Sequence, residues 1–244
     1  MTNRRTLIGA AALLPFAATL AHAQDAPAEE TWDQKWQRML REDWPMLGRY
    51  AEENRKLIAS GAKTDIVFLG DSITEGWRDK RPGFFKPGRV GRGIGGQTTP
   101  QMVLRMLQDV VQLEPRFVHI MAGTNDIAGN TGPITLPQTC DNLRAMTMLA
   151  RANGIDVLLA SVPPADHYPW RPGLETVAPI RAINAWSKGY AEANGLTWVD
   201  YWPALADAKG AMKPGMAYDG VHPTEAGYDA MASVIAPILA AKGV

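Results

Sequence analysis

Cysteine is almost missing from these 244 residues: Cys140 stands alone, so no disulfide can close within the chain and no cysteine cluster is available to a metal. Histidine is scarce too, limited to His22, His119, His167 and His222. An excess of either charge is lacking, with 25 basic and 25 acidic residues and a formal net charge of zero. That balance excludes the electrostatic footprint of a nucleic-acid binder and the acidic surplus of a solvating tail. There is no repeat of 20 to 50 residues and no low-complexity tract. What remains is a chain with 46% hydrophobic residues, enough for one domain with a substantial core.

The first 23 residues read as an address. Arg4 and Arg5 precede an apolar stretch at 7–20, and Ala21-His22-Ala23 supplies the small-x-small pattern of a signal-peptidase site. Cleavage after Ala23 is expected, giving an exported protein, periplasmic if the source has an outer membrane. The apolar stretch is shorter than the ~20 residues a membrane helix needs, so no permanent anchor is expected. Cys140 lies too far from the cleavage site to carry a lipid. Asn3-Arg4-Arg5-Thr6-Leu7 matches the twin-arginine pattern only in part, which leaves the export route open.

A polar linker follows at 24–30. Residues 31–60 then read as helix, broken or kinked near Pro45, with Trp32, Trp36, Met39, Leu40, Trp44, Leu47 and Tyr50 forming a packing stripe. From residue 61 to 244 strands and helices alternate. The strand readings are 66–69, 90–94, 117–121, 155–162 and 197–201; helices are expected at 100–113, 137–153, 177–194 and 224–241. This order implies an α/β fold with three α/β/α layers, a mainly parallel five-stranded sheet and a flavodoxin-like winding. The loops after parallel strands share one sheet edge, so chemistry is expected in several of them.

Four loops carry candidates. The first strand breaks at Gly70 and delivers Asp71-Ser72, which reads equally as a nucleophile turn or as a helix cap. After the second strand comes Gly91-Arg92-Gly93-Ile94-Gly95-Gly96-Gln97-Thr98-Thr99, suited to close approach of backbone N–H groups to negative charge. It also satisfies Gly-x-Gly-x-x-Gly, but the preceding strand is poorly apolar and no acid ends a strand ~20 residues later, which argues against a dinucleotide site. After the third strand, Asn125 could aim its amide at a carbonyl oxygen that becomes negative during acyl transfer, or simply form a turn. Before the last helix, Asp219 and His222 are spaced for contact across one tight turn, so that a carboxylate could orient an imidazole base. The same Asp-x-x-His suits a metal site or a cap, without any supporting cluster. His119 falls inside an apolar strand, which favours a core role.

Taken together, Gly70-Asp71-Ser72-Ile73-Thr74, Gly93-Ile94-Gly95-Gly96, Gly123-Thr124-Asn125-Asp126 and Asp219-Gly220-Val221-His222-Pro223 resemble, in order and spacing, the four blocks of the SGNH (GDSL-type) hydrolases. The resemblance spans residues 64–240 and is nearest to the catalytic subunits of platelet-activating-factor acetylhydrolase and their bacterial relatives. It implies the SGNH hydrolase fold, Ser72 as nucleophile, His222 as base and Asp219 as its orienting acid. It also implies an oxyanion hole from the N–H groups of Ser72 and Gly96 and the side chain of Asn125, with no cofactor and no metal. One departure stands out: relatives often carry asparagine where Gly91 stands, which questions how the second loop is stiffened.

The expected activity is therefore an exported serine esterase acting through an acyl-enzyme on acetyl or other short acyl esters of a carbohydrate. A lysophospholipase or thioesterase is the alternative, and a non-catalytic carbohydrate-binding relative is the reading outside the enzyme class. Trp77, His167 and Trp170 are the candidate substrate contacts, with Trp202 a further tryptophan near the sheet edge; core packing is the competing reading for each tryptophan.

Overall fold

The computed structural model of the protein describes residues 30–244; the expected signal peptide and nearly all of the linker lie outside the described residues. Two helices come first, α1 (Trp32–Glu42) and α2 (Gly48–Ser60). They are separated by a turn that contains Pro45, whose ring cannot continue a helix. The stretch 31–60 is thus two helices, and α1 opens on a capping box between Thr31 and Gln34.

Five strands follow: β1 (Ile66–Gly70), β2 (Arg89–Gly93), β3 (Phe117–Met121), β4 (Asp156–Ala160) and β5 (Thr197–Val199). All their pairings are parallel, in the order β2-β1-β3-β4-β5. Between and after them come α3 (Ser72–Lys80), α4 (Thr99–Asp109), α5 (Thr124–Ala128), α6 (Leu136–Ala152), α7 (Val177–Ala193), the short α8 (Trp202–Leu205) and α9 (Glu225–Ala241). β1 and β3 are buried along their whole length, as strands covered on both faces must be. The expected five-stranded α/β/α sheet is therefore present, with small shifts at the strand ends. β2 starts and stops one residue earlier than expected; Ile94, just past its end, still donates its N–H to the Gly70 carbonyl at 3.1 Å and packs with Met46 and Tyr50.

The winding fixes where ligands can sit. The chain runs from β1 outward to β2, then returns to the other side of β1 for β3. The crevice beyond the carboxyl ends of β1 and β3 is the topological switch point, where open α/β sheets hold their ligands. Among the described residues no helix is long and apolar enough to cross a membrane.

His119 occupies the middle of β3 with no exposed surface, and its Nε2 lies 3.0 Å from the Tyr201 hydroxyl. Burial pushes its pKa down from 6.5 to about 3, so the folded chain holds a neutral imidazole. The unfolded chain then binds more protons between these values, and the stability this neutral ring contributes is complete above pH 6.5 and drains as pH falls toward 3. In His119→Phe that dependence should vanish. Urea unfolding from pH 7.5 to 4.5 should show the wild type losing up to about 1.4 kcal/mol per pH unit relative to the variant. A difference that stays constant with pH would refute the assignment.

Candidate active site

β1 ends at Gly70, where a Cβ would lie 2.1 Å from Thr74 Oγ1 and 2.8 Å from the Met121 carbonyl oxygen, so only glycine lets the chain turn there. Asp71 then caps α3: its Oδ1 accepts the Ile73 N–H at 3.0 Å. Ser72 is the first residue of α3 and does not cap it. Its backbone N–H belongs to the helix's open first turn, where the aligned dipoles favour negative charge, and its Oγ lies 2.9 Å from His222 Nε2.

The other partners come from the loop ahead of α9. His222 Nδ1 sits 2.7 Å from Asp219 Oδ2, while Asp219 Oδ1 accepts the backbone N–H groups of His222 at 2.8 Å and Val221 at 3.0 Å. Tyr218 closes the turn by donating its N–H to the His222 carbonyl at 2.9 Å, and Gly220, at φ +85°, supplies the left-handed residue it needs. Partial burial pushes the Asp219 carboxyl up, but the His222 and Val221 N–H groups and the imidazole outweigh it and hold Asp219 below the usual carboxylate range. Ser72, Asp219 and His222 are half-buried, reachable from solvent yet shielded.

The loop after β2 lies across this group. Gly91 and Gly93 are strand residues, so the Gly-x-Gly-x-x-Gly string is not a strand-to-helix phosphate loop. Gly93 presses on α3: a Cβ would be 2.1 Å from the Glu75 nitrogen and 2.7 Å from the Asp71 carbonyl oxygen. Gly95 donates its N–H to Glu75 Oε2 at 2.7 Å, and Gln97 donates to the Ile94 carbonyl at 3.3 Å. Gly96, between them, has φ +74° and lies against the Trp36 ring, which a Cβ would approach to 2.8 Å. Gly91 is packed by Arg78 and Phe85, within 3.0 and 3.2 Å of a notional Cβ. The loop is stiffened from elsewhere: the Tyr50 hydroxyl donates to the Gly93 carbonyl, and Glu75, paired with Arg49 at 2.8 Å, holds Gly95.

Asn125, in α5, is 2% exposed and donates from Nδ2 to the Gln97 carbonyl at 3.0 Å. Its neighbour Asp126, buried and with its pKa raised by that burial, accepts the Thr99 N–H at 2.9 Å and so fastens the start of α4.

The three candidate substrate contacts fare differently. Trp77 is fully buried, stacked on Phe84 at 4.6 Å and Tyr228 at 5.9 Å, and is a core residue that no substrate reaches. It follows Ser72 by five positions, which turns it ~140° around the helix, away from the hydroxyl. His167 is exposed, bonded through Nδ1 to Asp166 at 2.7 Å, and its ring lies against Gly220 beside Asp219. Trp170 is 38% exposed, 5.9 Å between ring centres from His222, and stacked 5.1 Å from Tyr168 with the planes 2° apart. Trp202 lies apart, in a surface groove with Arg181, Trp198 and Asp200. Asn130, which the sequence did not single out, bonds to both Asn125 and Trp170.

Residues 68–230 match the GDSL-like Lipase/Acylhydrolase family. The chain belongs to that family. Carboxylic ester hydrolysis is the reaction class of this family, and solved structures agree with the membership. A candidate acylhydrolase from Bacteroides fragilis is 41% identical, with 82% of this chain and 99% of that one covered and a TM-score of 0.78. A GDSL-like lipase from Bacteroides thetaiotaomicron is also 41% identical over 82% and 100% of the two chains, with a TM-score of 0.75. An acetylxylan esterase from Geobacillus stearothermophilus shares the fold at 21% identity, over 72% and 94%, with a TM-score of 0.59. Lipoprotein YqeF of Bacillus subtilis is 38% identical over 79 residues, 26% of this chain, which spans about a third (32%) of that relative's length.

The Gly93 contact predicts a steric outcome. Gly93→Ala should force apart the backbones of β2 and α3, costing about 3 kcal/mol or more and lowering Tm by about 6 to 12 °C. Gly83→Ala, with nothing within 4 Å of its Cβ, should melt like the wild type. Thermal unfolding of both variants decides this; equal melting temperatures would mean the strand and helix can separate freely.

Proposed function

We propose that the protein is an exported serine esterase that removes acetyl or other short acyl groups from a carbohydrate. The observation that carries this reading is the unbroken chain Ser72 Oγ, His222 Nε2, His222 Nδ1 and Asp219 Oδ2, with contacts of 2.9 and 2.7 Å. His222 takes the proton of Ser72 as the hydroxyl attacks the ester carbonyl, and Asp219 holds the ring's other nitrogen while the imidazolium exists. The tetrahedral oxyanion is received by the N–H groups of Ser72 and Gly96 and by the Asn125 amide. The engagement of the Gly95 and Gln97 N–H groups leaves Gly96 as the donor of that loop with this role. His222 returns the proton to the departing alcohol; water then attacks the acyl-enzyme by the same steps. Each of these steps is carried by a side chain or backbone group of the chain itself.

The carbohydrate reading rests on Trp170, an aromatic face at the rim whose ring lies near His222, where the leaving alcohol departs. Export rests on the first 23 residues, with the partial likeness to a lipoprotein in the same direction.

Purified protein should hydrolyse nitrophenyl acetate faster than the octanoate. Ser72→Ala should lower kcat by at least about 10⁴-fold and Asp219→Asn by about 10² to 10⁴-fold. Acetylated xylooligosaccharide should be turned over in preference to lysophospholipid. Inactivity of the wild type on every acyl length would end the esterase reading, and a preference for lysophospholipid would replace the carbohydrate.

A further inference from the structure

The turn after α5, residues 129–132, lies outside the four sequence blocks and outside the triad, yet it touches both side-chain and backbone parts of the proposed oxyanion hole. Asn130 is half-buried there. Its Nδ2 is 2.9 Å from Asn125 Oδ1 and 3.2 Å from the Gly96 carbonyl oxygen, its backbone N–H donates to the Asn125 carbonyl at 3.1 Å, and its Oδ1 accepts from Trp170 Nε1 at 3.2 Å.

The polarity of this chain of bonds is forced from both ends. An indole N–H can only donate, so the end of Asn130 that meets Trp170 must be its oxygen. A backbone carbonyl can only accept, so the end of Asn125 that meets Gln97 must be its nitrogen. Between them, Asn130 Nδ2 necessarily faces Asn125 Oδ1. An asparagine amide has two ends of nearly equal shape and opposite chemistry, and only the nitrogen end can stabilise an oxyanion. One hydrogen of Asn125 Nδ2 goes to Gln97; the second is the one the reaction uses.

We infer that Asn130 is a positioning residue for ester hydrolysis: it sets the orientation of the Asn125 amide, ties it to the Gly96 segment, and connects both to Trp170 at the substrate rim. This rests on the reading of Asn125 as an oxyanion donor. Gln97 still restrains one end of the amide when Asn130 is removed, so the loss should be smaller than deletion of the donor itself, which typically costs about 10² to 10³-fold.

The test is steady-state kinetics on nitrophenyl acetate for Asn125→Ala, Asn130→Ala, Asn130→Asp, Trp170→Phe and the double variant Asn125→Ala/Asn130→Ala, each checked for native circular dichroism. Asn130→Ala should lower kcat about 10-fold or more with KM changed less than about threefold, because the interaction matters most in the transition state. Asn130→Asp keeps the size and the acceptor for Trp170 but loses both donors, and should fall at least as far. Trp170→Phe keeps an aromatic face, frees Asn130 Oδ1, and should show a smaller drop in the same parameter. The double variant should be no slower than Asn125→Ala alone, since a residue acting through Asn125 has nothing left to position. Wild-type kcat in both Asn130 variants beside an impaired Asn125→Ala would overturn this assignment alone, as would losses that simply multiply in the double variant. Full activity in Asn125→Ala would overturn the oxyanion reading, and this assignment with it.

Discussion

Arg105 lies in α4 with no exposed surface and divides its guanidinium among three partners: the Gly70 carbonyl at 2.9 Å, the Gln97 side-chain oxygen, and Asp109 one turn along the helix at 3.1 Å. Asp109 is in turn held by Asn54 of α2 at 2.6 Å, and Asn54 accepts from Arg92 of β2 at 2.8 Å. Burial pulls the Arg105 pKa down and Asp109 opposes that pull. A buried charge of this kind adds little net stability while complete, but removing one partner costs about 3 to 5 kcal/mol, because the remaining charge is stranded in a medium that cannot solvate it. Its places of attachment matter for function. Gly70 is the residue before Asp71-Ser72, and Gln97 is the residue whose carbonyl receives Asn125. The cost of stranding Arg105 therefore resists relative movement of the turn that carries Ser72 and the loop that carries Gly96.

Much of this was readable from residue order. Strands buried on both faces are short apolar runs between polar boundaries, and β1 and β3 match that pattern; Ser72 and Asn125 follow directly after them. The helix-cap alternative for Asp71-Ser72 proves half correct, since Asp71 caps α3 and Ser72 faces His222. What residue order could not give was the identity of packing partners. The stripe containing Trp36, Met39 and Tyr50 reads as a buried face, but nothing local says that it covers Ile94 and Gly96. Arg105 sits where an amphipathic pattern offers no sign of a buried cation. Trp77 has the same composition cue as Trp170, but Trp77 is buried on α3 and Trp170 stands in the loop between β4 and α7. Asn130 was invisible because an asparagine beside Gly129 has a sufficient explanation as a turn residue.

Three carboxylates near the sheet edge show how environment divides their work. Asp71 is fully buried and pushed up to about 6; Asp126 is raised for the same reason. Both have structural work to do, one capping α3 and the other fastening Thr99 at the start of α4. Asp219 is more exposed, accepts two backbone N–H groups as well as the imidazole, and is held low. In the proposed mechanism Asp219 must remain charged beside a forming imidazolium, which needs hydration or several donors, and Asp219 has both. The buried pair lacks hydration and depends on nearby N–H and hydroxyl groups to keep its charge.

The site is assembled from many short contacts instead of one strong one. In the proposed oxyanion hole, Ser72, Gly96 and Asn125 come from the segments that follow three different strands, and the gain such a hole provides is lost if its donors must reorganise during the reaction. Backbone N–H groups are fixed by the fold, which suits Ser72 at the start of α3 and Gly96 between two engaged neighbours. A side-chain amide is not fixed in this way, because rotation about one bond exchanges donor for acceptor. Asn125 is thus the member of the set that needs outside help, and it is the one flanked by Gln97 and Asn130. The bonds lead outward from there: through Gln97 to the buried Arg105, and through Asn130 to Trp170 at the rim. The proposed reacting centre lies between an anchor that cannot move without stranding a charge and an exposed tryptophan at the rim.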